Sequence, residues 1–179
     1  MGATWIAGTL AGTLLPAPLN LAMTVAIAGL LPAAWSDWRT SYLWDEIIVP
    51  TGFLVGAAML IGGRGGEAMS GGVLVGGIYC MMWGYTFIVG REIGLGDVKM
   101  AAVMGAALGP LAGIIAFFVA AFIGIGLWLI RKMRGAGQNE LEIPYGPALA
   151  GAMLLTCGFA PYIDSNYGFL LPAWFAVQP

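Results

Sequence analysis

Apolar residues run along this chain in long blocks with short polar punctuation between them. Stretches free of any charged residue cover 1–36, 47–63, 68–90, 100–130, 143–163 and 165–179. Several reach the roughly 17–25 residues that a membrane-crossing helix needs. The pattern predicts helices near 19–35, 46–62, 68–90, 97–109, 110–131 and 145–162. As one helix, the 100–130 block would be about 46 Å long, against a hydrocarbon core of roughly 30 Å. Gly109-Pro110 falls inside it, and proline cannot donate the backbone bond that a helix interior requires. Two helices split at that point, or one tilted and kinked helix, both fit the spacing.

Composition fixes the class. Of 179 residues, 60% are hydrophobic and 9% charged, where soluble domains carry about 25% charged residues. The chain reads as an all-α integral membrane protein with about six transmembrane helices in one polytopic domain, 1–179. Residues 1–18 hold no Lys or Arg and so lack the positive region of a secretory signal. They read as a short apolar segment interrupted by Pro16 and Pro18, and 163–179 as a non-cytoplasmic tail. The 29 glycines include seven pairs at four-residue spacing. Random placement would give roughly four or five, so close packing is expected but no dimer face. No internal repeat is evident, which disfavours an inverted-repeat transporter.

Loop charges choose between one helix and two. With the split, the loops at 36–46, 90–99 and 131–144 share a side and hold Arg39, Arg91, Lys99, Arg131, Lys132 and Arg134, against Arg64 alone opposite. Without it, three basic residues face four. A strong bias marks the cytoplasmic side, so the split is the expected arrangement.

The inventory also removes chemistries. With no histidine, Ser-His-Asp triads and His-ligated metal sites are excluded. Cys80 and Cys157 lie in apolar runs without a CxxC partner, and read as small packing residues. No metal and no cofactor is expected. A net charge of −2 without a basic block argues against nucleic acid as a partner.

What remains is carboxylates. Asp37 ends the first full span and Asp97 opens the fourth, both at the same membrane end in this topology. Ionisable groups at a bilayer are costly and tend to mark function, although solvated loop acids paired with Arg39 and Lys99 would look the same. Gly94 and Gly96 before Asp97 would allow close approach by an extended chain. Two neighbouring carboxyl groups can hydrolyse a peptide without metal or histidine. One, ionised, takes a proton from the attacking water, and the other, protonated, donates to the carbonyl oxygen or leaving nitrogen.

Three stretches in order resemble the type IV prepilin leader peptidases, membrane aspartic proteases of the Gly-x-Gly-Asp class. Ser36-Asp37-Trp38-Arg39-Thr40 is similar to the segment around the family's first catalytic aspartate. Gly94-Leu95-Gly96-Asp97-Val98-Lys99 is similar to its Gly-x-Gly-Asp-x-Lys signature. Ile143-Pro144-Tyr145-Gly146-Pro147-Ala148 resembles the Ile-Pro-Phe-Gly-Pro opening of its last helix. The resemblance implies an endopeptidase of the bacterial inner membrane. It would remove the basic leader of pilin-like precursors after a glycine at the cytoplasmic face, with Asp37 and Asp97 as the catalytic pair. Which is acid and which is base stays open.

Two departures stand out. Leu43-Trp44-Asp45 replaces the family's usual Ile-Pro-Asn or Ile-Pro-Asp. The chain also reads as a short form without the cysteine-containing cytoplasmic segment of larger members, so N-methylation with S-adenosylmethionine is not expected. Among other polar residues, Lys99 and Arg39 are candidates to support the carboxylates or substrate, or are ordinary positive-inside anchors. Asp45, Glu46, Glu92, Glu140 and Glu142 would suit a basic leader or are simply solvated. Trp35, Trp38 and Trp44 fit an interfacial belt. Competing readings are a small ion transporter using the two aspartates as a relay, and a non-catalytic membrane assembly factor.

Overall fold

The computed structural model describes residues 17–40, 42–89, 94–135 and 145–167. Most of the apolar segment 1–18 therefore lies outside the described residues. So do Arg91, Glu92, Glu140, Glu142, Ile143, Pro144 and the tail from 168. The described chain forms α1 (Ala17–Thr40), α2 (Asp45–Ile61), α3 (Gly65–Val89), α4 (Leu95–Met133) and α5 (Gly146–Tyr167), with no strand among these residues. It is an all-α membrane protein. Three of the helices contain stretches long and apolar enough to cross a bilayer: Leu21–Thr40, Gly65–Val89 and Leu95–Met133.

Helix ends differ from the hydropathy boundaries for a physical reason. Apolarity stops near residue 35, but α1 continues through Thr40. There Thr40 Oγ1 donates to the Ser36 carbonyl at 2.9 Å, and Ser36 Oγ donates to the Tyr42 carbonyl at 3.1 Å. Asp37 consequently sits in the last turns of a helix and not in a loop. At the other end of the chain, α5 runs to Tyr167, past the expected 162. A three-residue turn joins α2 to α3, with Gly63 at φ 72°.

α4 is a hairpin. Gly109 adopts φ 77° and ψ 177°, a region of backbone space open essentially to glycine alone, and Pro110 follows it. Limb 95–108 packs on α3 with Gly72 against Ala106 and Gly76 against Ala102, an antiparallel register. Limb 110–133 packs on the same helix with Val75 against Gly113 and Tyr79 beside Phe117, a parallel one. The two limbs must therefore run in opposite directions. A methyl group built on Gly113 would sit 3.4 Å from the Gly105 Cα. Eight residues along one continuous helix would separate the two by about 12 Å. The split expected from loop charges is thus present as a reversal of the chain.

Limb 95–108 occupies the core. Met100, Ala101, Met104, Ala107 and Leu108 are fully buried, together with Met23 and Leu30 of α1, Ile48 and Met59 of α2, and Leu149 and Met153 of α5. The outer surface is apolar instead: Phe53, Ile61, Met69, Val73, Ile88 and Phe122 are exposed, as suits a lipid environment. Cys157 contributes to packing, its Sγ 3.6 Å from the Met23 Sδ. Cys80 is exposed on α3, so it does not pack the interior as its apolar setting suggested.

Candidate active site

Both aspartates continue the buried stripes of their helices. On α1 the stripe is Met23, Ala26, Ile27, Leu30, Ala33 and Ala34, and the next position on that face is Asp37. On α4 it runs backwards through Leu108, Met104, Ala101 and Met100 to Asp97. The carboxyl groups therefore occupy core positions at the end of the bundle. Asp37 is 6% exposed and Asp97 8%, and among the described residues they are the buried charged side chains.

Each is held differently. The backbone N–H of Gly146 donates to Asp37 Oδ2 at 2.8 Å. Gly146 is the first residue of α5, so this N–H has no partner within its own helix and lies at the positive end of the helix dipole. A Cβ on Gly146 would sit 2.7 Å from Asp37 Oδ2 and 3.0 Å from its Cβ. Asp97 lies in the first turn of α4, its N–H bonded to the Gly94 carbonyl at 3.0 Å. Its Oδ1 is buried without a hydrogen-bond partner among the described residues. The two carboxyl groups are close enough for the charge of Asp37 to act on Asp97, and Asp97 in turn acts on Tyr79 and Tyr145.

The supporting residues expected from sequence divide. Gly94 caps α4 in an extended conformation, and Gly96 gives close approach to the side chain of Leu43, in the α1–α2 connection. The chain that Gly96 admits is thus a neighbouring segment of the protein itself. Lys99 contacts neither buried aspartate. Its Nζ donates to both carboxylate oxygens of Asp45, at 2.7 and 2.8 Å, near the surface. Arg39 lies over the Trp35 ring at 5.0 Å, and Arg131 over Trp38 at 5.4 Å. Trp35, Trp38 and Trp44 are all exposed, as belt residues are. Tyr42, Trp44 and Glu46 line an open hollow of about 430 Å³ beside the Leu43–Gly96 contact.

The 143–148 stretch gives no sequence signal that the Gly146 N–H is the partner of Asp37. Tyr79 is not among the residues the sequence singles out. Its only sequence signal is a polar group amid the apolar run 68–90.

The described chain is thus a helical membrane protein with two carboxyl groups buried at one end of the bundle. The model of the type IV leader peptidase family matches residues 7–129, more than half of the chain, and the protein belongs to that family. It is 31% identical over 157 residues to a prepilin leader peptidase/N-methyltransferase of Burkholderia pseudomallei, covering 83% of this chain and 50% of the relative. A protein of the same name from Aeromonas hydrophila is 30% identical over 159 residues, covering 82% and 52%. The chain thus spans about half the length of the curated relatives it matches. No solved structure matches it significantly.

Proposed function

We propose that this protein is an aspartic endopeptidase of the bacterial inner membrane. In this reading it removes the basic leader of pilin-like precursors, cutting after a glycine at the cytoplasmic face, with Asp37 and Asp97 as the reacting pair. The observation that carries the reading is the placement of two buried carboxyl groups, 60 residues apart in sequence on α1 and α4, within electrostatic reach of one another. One carboxylate, ionised, takes a proton from the attacking water, and the other gives its proton to the leaving nitrogen. Family membership supplies the substrate class.

The remaining geometry suits such a substrate. Positive-inside bias supports a cytoplasmic site end, since Arg39, Lys99, Arg131, Lys132 and Arg134 gather there and Arg64 lies at the other end. Glu46, Tyr42 and Trp44 offer a basic peptide a carboxylate and two aromatic faces. An ion relay would need carboxylates through the apolar interior. Between the site end and Glu67, which pairs with Arg64 at the other end, no carboxylate is among the buried side chains of the described residues.

The test is cleavage in liposomes of a precursor with a basic leader, Gly at the cut and a following apolar helix. Wild type is expected to cut after that Gly. Asp37→Asn and Asp97→Asn are each expected to lose activity by at least about 10³-fold while remaining folded. Full activity in either folded variant rules the pair out.

A further inference from the structure

Tyr79 is 1% exposed, in the middle of α3. Its ring is held edge-on by Phe117, with centroids 5.5 Å apart, and by Tyr145, at 6.1 Å. That packing needs only a phenyl ring. The hydroxyl is buried and has no hydrogen-bond partner among the described residues. A phenol there loses its hydration with no compensating hydrogen bond among the described residues, whereas phenylalanine would fill the same space without that cost.

A second orphan lies in the same neighbourhood. Asp97 Oδ1 is likewise buried and unpartnered, and Tyr79 and Asp97 are within electrostatic reach without being hydrogen-bonded to each other. The helix register explains the proximity. With Gly72 against Ala106 and Gly76 against Ala102, one further turn sets Tyr79 level with the start of limb 95–108, where Asp97 sits. A donor and an acceptor, both buried and neither hydrogen-bonded among the described residues, thus lie at the same level of the bundle beside the carboxyl pair.

We infer that the Tyr79 hydroxyl is a third group of the reacting centre, the hydrogen-bond donor to the carbonyl oxygen of the peptide being cut. This rests on the reading of Asp37 and Asp97 as the reacting pair. As the water oxygen bonds to the carbonyl carbon, the ionised carboxylate takes a water proton and the carbonyl electron pair moves onto oxygen. Tyr79 donates its hydrogen bond to that oxygen and keeps its proton. The pair then returns to re-form C=O, the C–N bond breaks, and the nitrogen leaves with the proton of the other carboxyl. Because Phe117 and Tyr145 fix the ring, the donor is aimed before the charge develops, which is the condition for a large effect on rate.

The experiment compares wild type, Tyr79→Phe, Asp37→Asn and Asp97→Asn in the liposome cleavage assay. Tyr79→Phe is expected to lower kcat by about 10²-fold, with KM within about twofold of wild type and a Tm in detergent at or above that of wild type. A kcat within about threefold of wild type, beside inactive aspartate variants, overturns the role of Tyr79 and leaves the pair standing. Cleavage by both aspartate variants overturns the pair and Tyr79 with it. If Tyr79→Phe does not fold, 3-fluorotyrosine at position 79 decides, since it keeps ring and hydroxyl but makes the phenol a stronger acid. A changed kcat and pH profile supports the donor, and unchanged ones overturn it.

Discussion

Gly146 shows how much of the site rests on a missing side chain. The start of α5 can reach Asp37 only because nothing projects from that Cα, and the same residue supplies the N–H that holds Oδ2. In Gly146→Ala the new Cβ would meet Asp37 at 2.7–3.0 Å, and its neighbours there include the Asp37 Cβ, which cannot swing away like a chain end. The expected result is a loss of about 1–3 kcal/mol in stability and a fall of at least ~10-fold in kcat/KM as the carboxyl shifts. Chemical unfolding in detergent and the cleavage assay would measure the two. Wild-type values for both would show that α5 does not position Asp37. Asp37 and Asp97 were legible in the sequence because each is a carboxyl group at the edge of a long apolar run and sits in a stretch resembling a family motif; that each also continues a buried helical stripe shows only in the structure. Lys99 was not legible, because its partner Asp45 is 54 residues away and no local spacing joins them. Tyr79 was hidden for the opposite reason: a tyrosine in an apolar run looks like packing until its hydroxyl is found without a partner.

At the scale of elements, the α4 hairpin brings the most to one place. Its reversal at Gly109-Pro110 returns Arg131 to the end where Trp38 and Asp37 lie, and lets both limbs pack on α3. Sequence reasoning reached the split through charge counting, because a 39-residue helix would have scattered the basic residues. Helix ends are less legible than apolar blocks, since a helix stops where its backbone bonds stop, and α1 runs through Ser36–Thr40, whose hydroxyl groups bond backbone carbonyls there. The reversal itself depends on one conformation. Gly109→Ala places a Cβ at φ 77°, ψ 177°, and the expected cost is about 1–3 kcal/mol, read as a lower unfolding midpoint in detergent. An unchanged midpoint would mean that the chain turns by some other backbone path.

For the whole molecule, the decisive question is which face of the membrane holds the site. α1 arrives at the site end, α2 leaves it, α3 returns, and the limbs of α4 leave and return in turn, so every described helix alternates in direction. Basic residues gathered at the site end then predict a cytoplasmic location, the compartment in which a precursor's basic leader would meet it. Single cysteines test this in a Cys80→Ser, Cys157→Ser background. Arg134→Cys marks the site end, and Gly66→Cys marks the far end, where a side chain meets open space. A membrane-impermeant maleimide should label position 134 in inverted vesicles and not in intact cells, with position 66 giving the reverse. Both positions labelled from one face would contradict the alternation of helices that brings Asp37 and Asp97 together. An exchanged pattern would keep the architecture but put the carboxyl pair on the outer face, out of reach of a leader that never leaves the cytoplasm, so the fold would stand and the proposed substrate would not.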